Sequence, residues 1–108
     1  MKKIVVALSL FAISSSASAD LADKMEKLVG YTIVASMTIK SWYNESKNEA
    51  EENFKGCDYG RVIVFTNNKI LKCTSYNYQY AYRPTAVILS DGSQFKMIVE
   101  DEIYEMQR

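Results

Sequence analysis

The apolar residues that begin the expected folded domain recur at helical intervals. Between Asp20 and Gly30, four of them share one face of a helix: Leu21, Met25, Leu28 and Val29. Asp20 can cap the start of this helix, and Gly30 can adopt the left-handed conformation just past its end. Because a helix of about ten residues is marginal on its own, we expect its apolar face to pack against the rest of the domain.

From Tyr31 to Tyr43 the period of the apolar positions changes to two, which is the spacing of a β-strand with one buried face. The positions expected on that face are Tyr31, Ile33, Ala35, Met37 and Ile39. The length of this segment predicts a bend or bulge near Ser41. The polar segment that follows, residues 44–56, fits either a short exposed helix or an excursion between strands, and the pattern does not decide between them.

Residues 61–73 give the clearest hairpin prediction. Two apolar runs flank Asn67 and Asn68, which tolerate the positive φ of a two-residue turn. Such a turn pairs Val64 with Leu71, and it places four residues on the core side: Val62, Val64, Leu71 and Cys73. Three others lie on the opposite side: Ile63, Phe65 and Ile70. Since both sides are apolar, we expect both to be covered, by a helix or by closure of a barrel.

Two further elements complete the pattern. Residues 85–100 predict a second hairpin around Asp91 and Gly92. One side of it carries Phe95, Met97 and Val99, with Val87 and Leu89 opposite them. Residues 101–106 predict a last short strand or turn, with Ile103 and Met106 as the inward candidates.

The order of these elements predicts a mainly β (α+β) fold. We expect one N-terminal helix followed by a small antiparallel bent sheet or an SH3-like barrel of five to six strands. A sheet with the helix lying across one face is the alternative.

The N-terminal residues predict export. A basic start is followed by an apolar run from Ile4 to Ile13, and the small residues Ala17 and Ala19 occupy the positions that a signal peptidase inspects. The run is shorter than the roughly 20 apolar residues that a membrane anchor needs. We therefore expect residues 1–19 to be a signal peptide. Residues 20–108 would then form a single periplasmic or secreted domain with no membrane anchor after cleavage.

Charge disfavours two classes of partner. Lys and Arg number 13 and Asp and Glu number 13, so removal of the two lysines in the signal peptide leaves a net charge of −2. Nucleic acids and anionic membranes bind proteins that concentrate positive charge. We therefore expect neither as a partner.

Cys57 and Cys73 predict one structural disulfide. An exported protein with an even number of cysteines normally pairs them, and sixteen positions separate these two. A catalytic redox pair is typically much closer in sequence, as in CxxC motifs. Because the chain contains no histidine, and the acidic residues of 44–56 lack the pattern of an EF-hand, we expect no metal site and no cofactor.

The residues of most enzyme active sites are missing. There is no histidine to activate a nucleophile, and the four glycines form no phosphate-binding loop. Carboxylate chemistry is what remains, with Glu100, Asp101, Glu102 and Asp58 as candidates. Adjacent acids at a strand end are typical of solvated turns, so we expect a non-enzymatic protein and keep a small carboxylate-dependent hydrolase as a further alternative.

The most unusual segment has tyrosine at every second position: Tyr76, Tyr78, Tyr80 and Tyr82. If the strand that contains Cys73 continues without interruption, these four rings face outward. The core side then carries Ser75, Asn77, Gln79 and Ala81, a poor core. A bulge near Thr74 would instead turn the tyrosines inward. The pattern favours the inward placement, because tyrosine forms strands readily and a small domain needs buried area.

The outward placement predicts a binding surface. Its residues are Tyr76, Tyr78, Tyr80, Tyr82 and Arg83, with Trp42 and Tyr43 as outlying candidates, although a partly buried anchor is the preferred role for Trp42. The leading hypothesis is an exported, non-enzymatic binding protein that engages a protein partner, with an inhibitor or immunity-type role. The alternative is a carbohydrate or cell-wall binding module that stacks sugars on the same rings.

Overall fold

The structure, a computed structural model, describes residues 16–108. The basic and apolar parts of the predicted signal peptide lie outside these residues, so export and cleavage stay predictions. The described residues form one α-helix, α1 (Ser16–Glu26), a short 3₁₀ helix (Glu45–Lys47) and seven strands. The strands are β1 (Thr32–Asn44), β2 (Glu49–Glu51), β3 (Val62–Phe65), β4 (Ile70–Cys73), β5 (Thr85–Ser90), β6 (Phe95–Val99) and β7 (Glu102–Gln107).

Six of these strands close into an antiparallel barrel. Its order is β1-β3-β4-β7-β6-β5, and β5 returns to pair with β1, while β2 adds to an edge of β1. β1 is long enough to pair with two strands: residues 32–38 lie beside β5 and residues 39–43 lie beside β3. The predicted mainly β fold with a small barrel and one N-terminal helix is confirmed. An open sheet covered by the helix is wrong, because the sheet closes on itself.

The barrel interior holds the core. Side chains with less than 5% of their surface exposed include Ile39, Trp42, Phe54, Ile63, Phe65, Ile88, Met97, Val99, Tyr104 and Met106. Phe54 meets Tyr104 edge to face, with ring centroids 5.6 Å apart. Since Phe54 lies in the long connection between β2 and β3, this contact fixes that connection against the barrel.

Two bulges in β1 change which of its side chains face inward. One lies between Ile39 and Ser41, as predicted, and after it the next inward side chain is Trp42 rather than Ser41. The other lies between Ile33 and Ala35 and was not predicted. Because a bulge of one residue exchanges the two faces of a strand, Ile33 is 67% exposed, and its predicted inward position is wrong.

The β3–β4 hairpin differs from its prediction by one residue. Its loop has three residues rather than two, with Asn68 in the left-handed region at φ 69°, and the Phe65 N–H donates to the Lys69 carbonyl. Val64 therefore stands opposite Ile70 instead of Leu71. The inward residues are Ile63, Phe65, Leu71 and Cys73. The prediction was right for β4 and wrong for β3, where it chose Val62 and Val64.

For the last three strands, some of the predicted inward positions are right and others are wrong. Met97 and Val99 face inward as predicted, but their cross-strand neighbours are Ile88 and Ala86 rather than Leu89 and Val87. The four-residue loop between β5 and β6 sets this register. In β7 the inward residues are Tyr104 and Met106. Ile103 lies on the other face, so its predicted inward position is wrong.

Helix α1 begins earlier than predicted and packs less. It starts at Ser16, so Asp20 lies inside it and does not cap it. A turn follows Glu26 and reaches Gly30, which has the predicted left-handed conformation at φ 89°. Leu21, Met25 and Val29 are 59%, 56% and 80% exposed, so the expected docking of the whole apolar face is wrong.

The polar segment after β1 also takes a definite form. It contains the 3₁₀ helix and then β2, which lies antiparallel to the end of β1. The two forms that the pattern left open, a short exposed helix and an excursion between strands, are therefore both present, because an exposed 3₁₀ helix opens an excursion that includes β2. It leads into residues 54–57, which pair with residues 77–81 at the candidate site.

Candidate functional site: an exposed tyrosine row

Tyr76, Tyr78, Tyr80 and Tyr82, which we call the tyrosine row, face solvent. Their exposed fractions are 63%, 61%, 56% and 68%. The inward placement that the sequence favoured is therefore wrong. Arg83 is exposed as well, and its guanidinium carbon lies 5.8 Å from the ring centroid of Tyr82. The five predicted binding residues are thus all exposed, within the short span of residues 76–83.

The tyrosines face outward because the phase of β4 continues past Cys73. The N–H of Thr74 donates to the carbonyl of Glu105 at 3.0 Å, so β4 keeps its neighbour there and does not bulge. With the phase unchanged, the odd-numbered residues stay on the barrel side, and Ala81 is only 9% exposed.

The barrel-side residues of this segment form hydrogen bonds in place of a hydrophobic core. The amide of Asn77 donates to Glu102 Oε1 at 2.8 Å, and that of Gln79 donates to Glu100 Oε1 at 3.0 Å. The buried hydroxyl of Tyr104 donates to Gln79 Oε1. Burial, followed by the charge of Glu102, raises the pKa of Tyr104, so its hydroxyl remains a donor. Buried polar groups with partners carry little penalty, which makes this placement stable.

A second strand-like segment supports the tyrosine row from the side. Phe54 exchanges two backbone hydrogen bonds with Ala81, and Cys57 exchanges two with Asn77, at 2.9 to 3.0 Å. We call residues 54–57 and 77–81 the ribbon. Its two pairs differ in register by one residue, so one strand of the ribbon bulges against the other.

Gly56 makes this bulge possible. It has φ 77°, and a Cβ atom at its position would lie 2.1 Å from the carbonyl oxygen of Asn77 and 2.7 Å from the amide nitrogen of Gln79. No side chain fits at those distances. The ribbon therefore requires glycine here, both for conformation and for space.

The disulfide joins one side of the ribbon to β4. Cys57 and Cys73 are bonded, with Cα atoms 5.6 Å apart, and each is 1% exposed. This confirms the predicted pairing and its position against the core. Cys57 ends one side of the ribbon, and Cys73 ends β4, four positions before the other side begins at Asn77, so the bond ties the ribbon to the barrel.

Trp42 lies behind the ribbon and is not available for binding. It is 3% exposed, and its Nε1–H donates to Asn53 Oδ1 at 3.0 Å. The guanidinium of Arg61 stacks 4.0 Å from the centroid of the Trp42 ring and donates to the carbonyls of Lys55 and Gly56. Trp42 is thus a buried anchor, and Tyr43 is half-buried. No pattern in the sequence pointed to Arg61, because its role depends on backbone carbonyls that only the fold brings close.

The candidate catalytic carboxylates each have a partner within the protein. Glu100 and Glu102 accept the hydrogen bonds from Gln79 and Asn77. Asp101 lies 3.8 Å from the Lys24 ammonium. Asp58 lies apart from them and accepts a hydrogen bond from Lys47 at 2.7 Å, which lowers the pKa of its carboxyl. These contacts attach the ribbon, α1 and the 3₁₀ helix to their neighbours.

Residues 16–108, which the structure describes, contain no group of three or more Cys, Asp or Glu side chains placed to hold a metal ion. They also contain no helix with the length and apolar character needed to cross a bilayer. Comparison of the chain with protein-family models, curated proteins and solved structures finds no match.

Proposed function

We propose that this protein is an exported, non-enzymatic binding protein that engages a protein partner through the tyrosine row and Arg83. The observation that carries this proposal is the exposure of four tyrosines, each above one half, on a single supported segment. Tyrosine and arginine are enriched where protein interfaces gain most of their binding energy. Four exposed tyrosines lower the solubility of the protein only slightly, because each ring carries a hydroxyl.

The support beneath the row favours tight binding. Four backbone hydrogen bonds, the disulfide and the Gln79 contacts hold the segment in one conformation before any partner arrives. A surface that is already ordered loses less conformational entropy on binding. Tyrosine side chains add to this advantage, since they offer a large area with few rotatable bonds.

The place of action in this proposal is the periplasm or the exterior of the cell. The disulfide is compatible with an extracytoplasmic location, and the N-terminal sequence has the pattern of a signal peptide. An inhibitor or immunity-type role suits a small stapled domain. The intramolecular partners of the four candidate carboxylates favour a structural role for these acids over a catalytic one.

The test compares two tyrosine variants. Tyr78→Ser combined with Tyr80→Ser removes the middle of the row, and Tyr59→Ser removes another tyrosine that is 67% exposed outside the row. A partner is first captured from the exported fraction of the native host by chemical crosslinking and then purified. We expect the double variant to bind it at least thirtyfold more weakly, since losses at interface hot spots reach about 2 kcal/mol or more.

Tyr59→Ser should bind as the wild type does, and all three proteins should melt within a few degrees of one another because the replaced side chains are exposed. Equal affinity of the double variant and the wild type would place the interface elsewhere. No crosslinked partner, together with saturable quenching of tyrosine fluorescence by cell-wall glycan fragments, would instead support the carbohydrate-binding alternative. Trp42 is too buried to report on either event.

A further inference from the structure

The barrel has an open seam on the side of β1 that faces the β3–β4 hairpin. Among the described residues, the backbone contact between β1 and this hairpin ends where the Thr66 N–H donates to the Thr38 carbonyl at 2.9 Å. Residues 32–37 pair only with β5. The bulge between Ile33 and Ala35 lies in this part of β1, whose edge toward the hairpin has no strand beside it, and bulges of this kind are common at barrel rims.

An apolar cleft of about 630 Å³ opens at this seam. Its lining includes Leu71 and Ile88, which belong to the barrel core, and Phe95, which packs against that core. The Nδ2 atom of Asn67 approaches the Met37 sulfur to 3.2 Å at one end. The volume falls within the roughly 300–1,000 Å³ of small-molecule sites, which are mostly apolar with a few polar groups.

The charged residues that line the cleft have one sign. They are Lys69 and Arg108, both exposed, and no described Asp or Glu lines the cleft. The Arg108 guanidinium carbon lies 5.4 Å from the ring centroid of Phe95, which holds this cation beside the apolar wall. An occupant that matches these walls has an apolar body and an anionic group at its end.

We infer that this cleft is a binding site for a small anionic amphiphile, of the class of a single-chain fatty acid. The apolar chain lies against Leu71, Ile88 and Phe95, and the carboxylate pairs with Lys69 and Arg108. This site is separate from the tyrosine row and does not depend on the function proposed for it. Burial of the chain supplies affinity in proportion to the apolar area covered, and the two cations select the head group.

The probe is dodecanoate below its micelle concentration, added to purified protein with ¹³C-labelled methionine methyl groups. Met37 lines the cleft, whereas Met25 lies on the exposed face of α1. We expect a saturable shift of the Met37 methyl signal and no shift of the Met25 signal. If Met25 responds at the same or lower concentration, the chain binds nonspecifically to exposed apolar residues and the inference is wrong.

Charge variants test the head-group selection. Lys69→Gln with Arg108→Gln should weaken dodecanoate binding at least tenfold and change dodecanol binding less than twofold. Lys27→Gln with Lys72→Gln removes the same charge from two exposed positions outside the cleft and should leave both affinities unchanged. Equal losses in the two double variants, or equal affinity of the wild type for dodecyltrimethylammonium, would overturn the site. All four replaced side chains are exposed, so we expect both double variants to fold as the wild type does.

Discussion

Asp91 organises the loop between β5 and β6 with a single carboxylate oxygen. Its Oδ1 accepts the N–H of Gln94 at 2.7 Å and that of Ser93 at 3.0 Å. The Gln94 bond first, and then the Ser93 bond, hold the pKa of Asp91 below its ordinary value. A carboxylate with a lowered pKa stabilises the fold above its unfolded pKa of about 3.9 and loses that contribution as the pH falls through the folded value.

We therefore predict that Asp91→Asn reduces the loss of stability in acid. Asparagine keeps an acceptor oxygen but cannot be protonated in this range, so its hydrogen bonds persist. Urea unfolding at pH 7 and at pH 2.5 should show a smaller drop in unfolding free energy for the variant than for the wild type. The same drop in both proteins would mean that Asp91 does not contribute to acid sensitivity.

At the residue scale, the sequence showed which polar side chains would be unusual on the core side, but not which residues would form hydrogen bonds with them. It marked Gln79 and Asn77 as residues that would make a poor core if the tyrosines faced outward. What it could not show is that Glu100, Glu102 and Tyr104, more than twenty positions away, supply hydrogen bonds to those two amides. Once those partners exist, polar side chains can face the barrel, and the tyrosines are free to face solvent.

Among the elements, the ribbon carries the candidate site, and its geometry depends on one glycine. We predict that Gly56→Ala destabilises the protein by roughly 2–4 kcal/mol, the sum of a left-handed backbone penalty and a steric clash. The matched control is Gly60→Ala. Gly60 has φ 80° but open space around a Cβ atom. Gly60→Ala should therefore destabilise the protein by only about 1 kcal/mol, from the backbone conformation alone.

Thermal or urea unfolding of the two variants measures the difference. Hydrogen exchange at the amides of Asn77 and Ala81, which bond across the ribbon, should speed up in Gly56→Ala and stay unchanged in Gly60→Ala. Equal destabilisation of the two variants would show that Gly56 is needed for its backbone conformation only. The ribbon would then tolerate a closer approach than its distances indicate.

The elements themselves were largely predictable, and their registers were not. Alternation identified β1, and the asparagine pair identified the β3–β4 hairpin. The number of residues in that loop, however, depends on whether Asn68 alone or both asparagines adopt positive φ, and both residues permit either choice. Because a one-residue change exchanges the two faces of a strand, this local ambiguity was enough to misplace Val62 and Val64.

For the whole molecule, the disulfide is the main covalent constraint. Replacing Cys57 and Cys73 together with alanine should lower the unfolding free energy by about 3 kcal/mol, since the loop closed by the bond spans a little over fifteen residues. Alanine avoids burial of an unpaired hydroxyl. The check is chemical unfolding beside the reduced wild type, and the two should unfold at similar denaturant concentrations. Equal stability of the variant and the oxidised wild type would contradict a stabilising bond.

The architecture could be predicted because it follows from many residues at once. Several short alternating segments, a single helix and two hairpins leave few arrangements for so small a domain. The packing of α1 could not be predicted in the same way. Its apolar face satisfies the helical pattern, but Leu21, Met25 and Val29 remain exposed, and nothing in the spacing distinguishes a docked face from a free one.

The position of β1 between β3 and β5 also sets an order of assembly. Thr32 stands opposite Ser90, more than half of the chain away, whereas the β3–β4, β5–β6 and β6–β7 pairs are joined by short loops. Such hairpins form in microseconds, while distant pairing must first overcome the entropy of closing a long loop. We therefore expect the pairing of β1 with β5, which spans the longest loop, to close the barrel last. A chain delayed at that step leaves both strand edges open to aggregation with other chains.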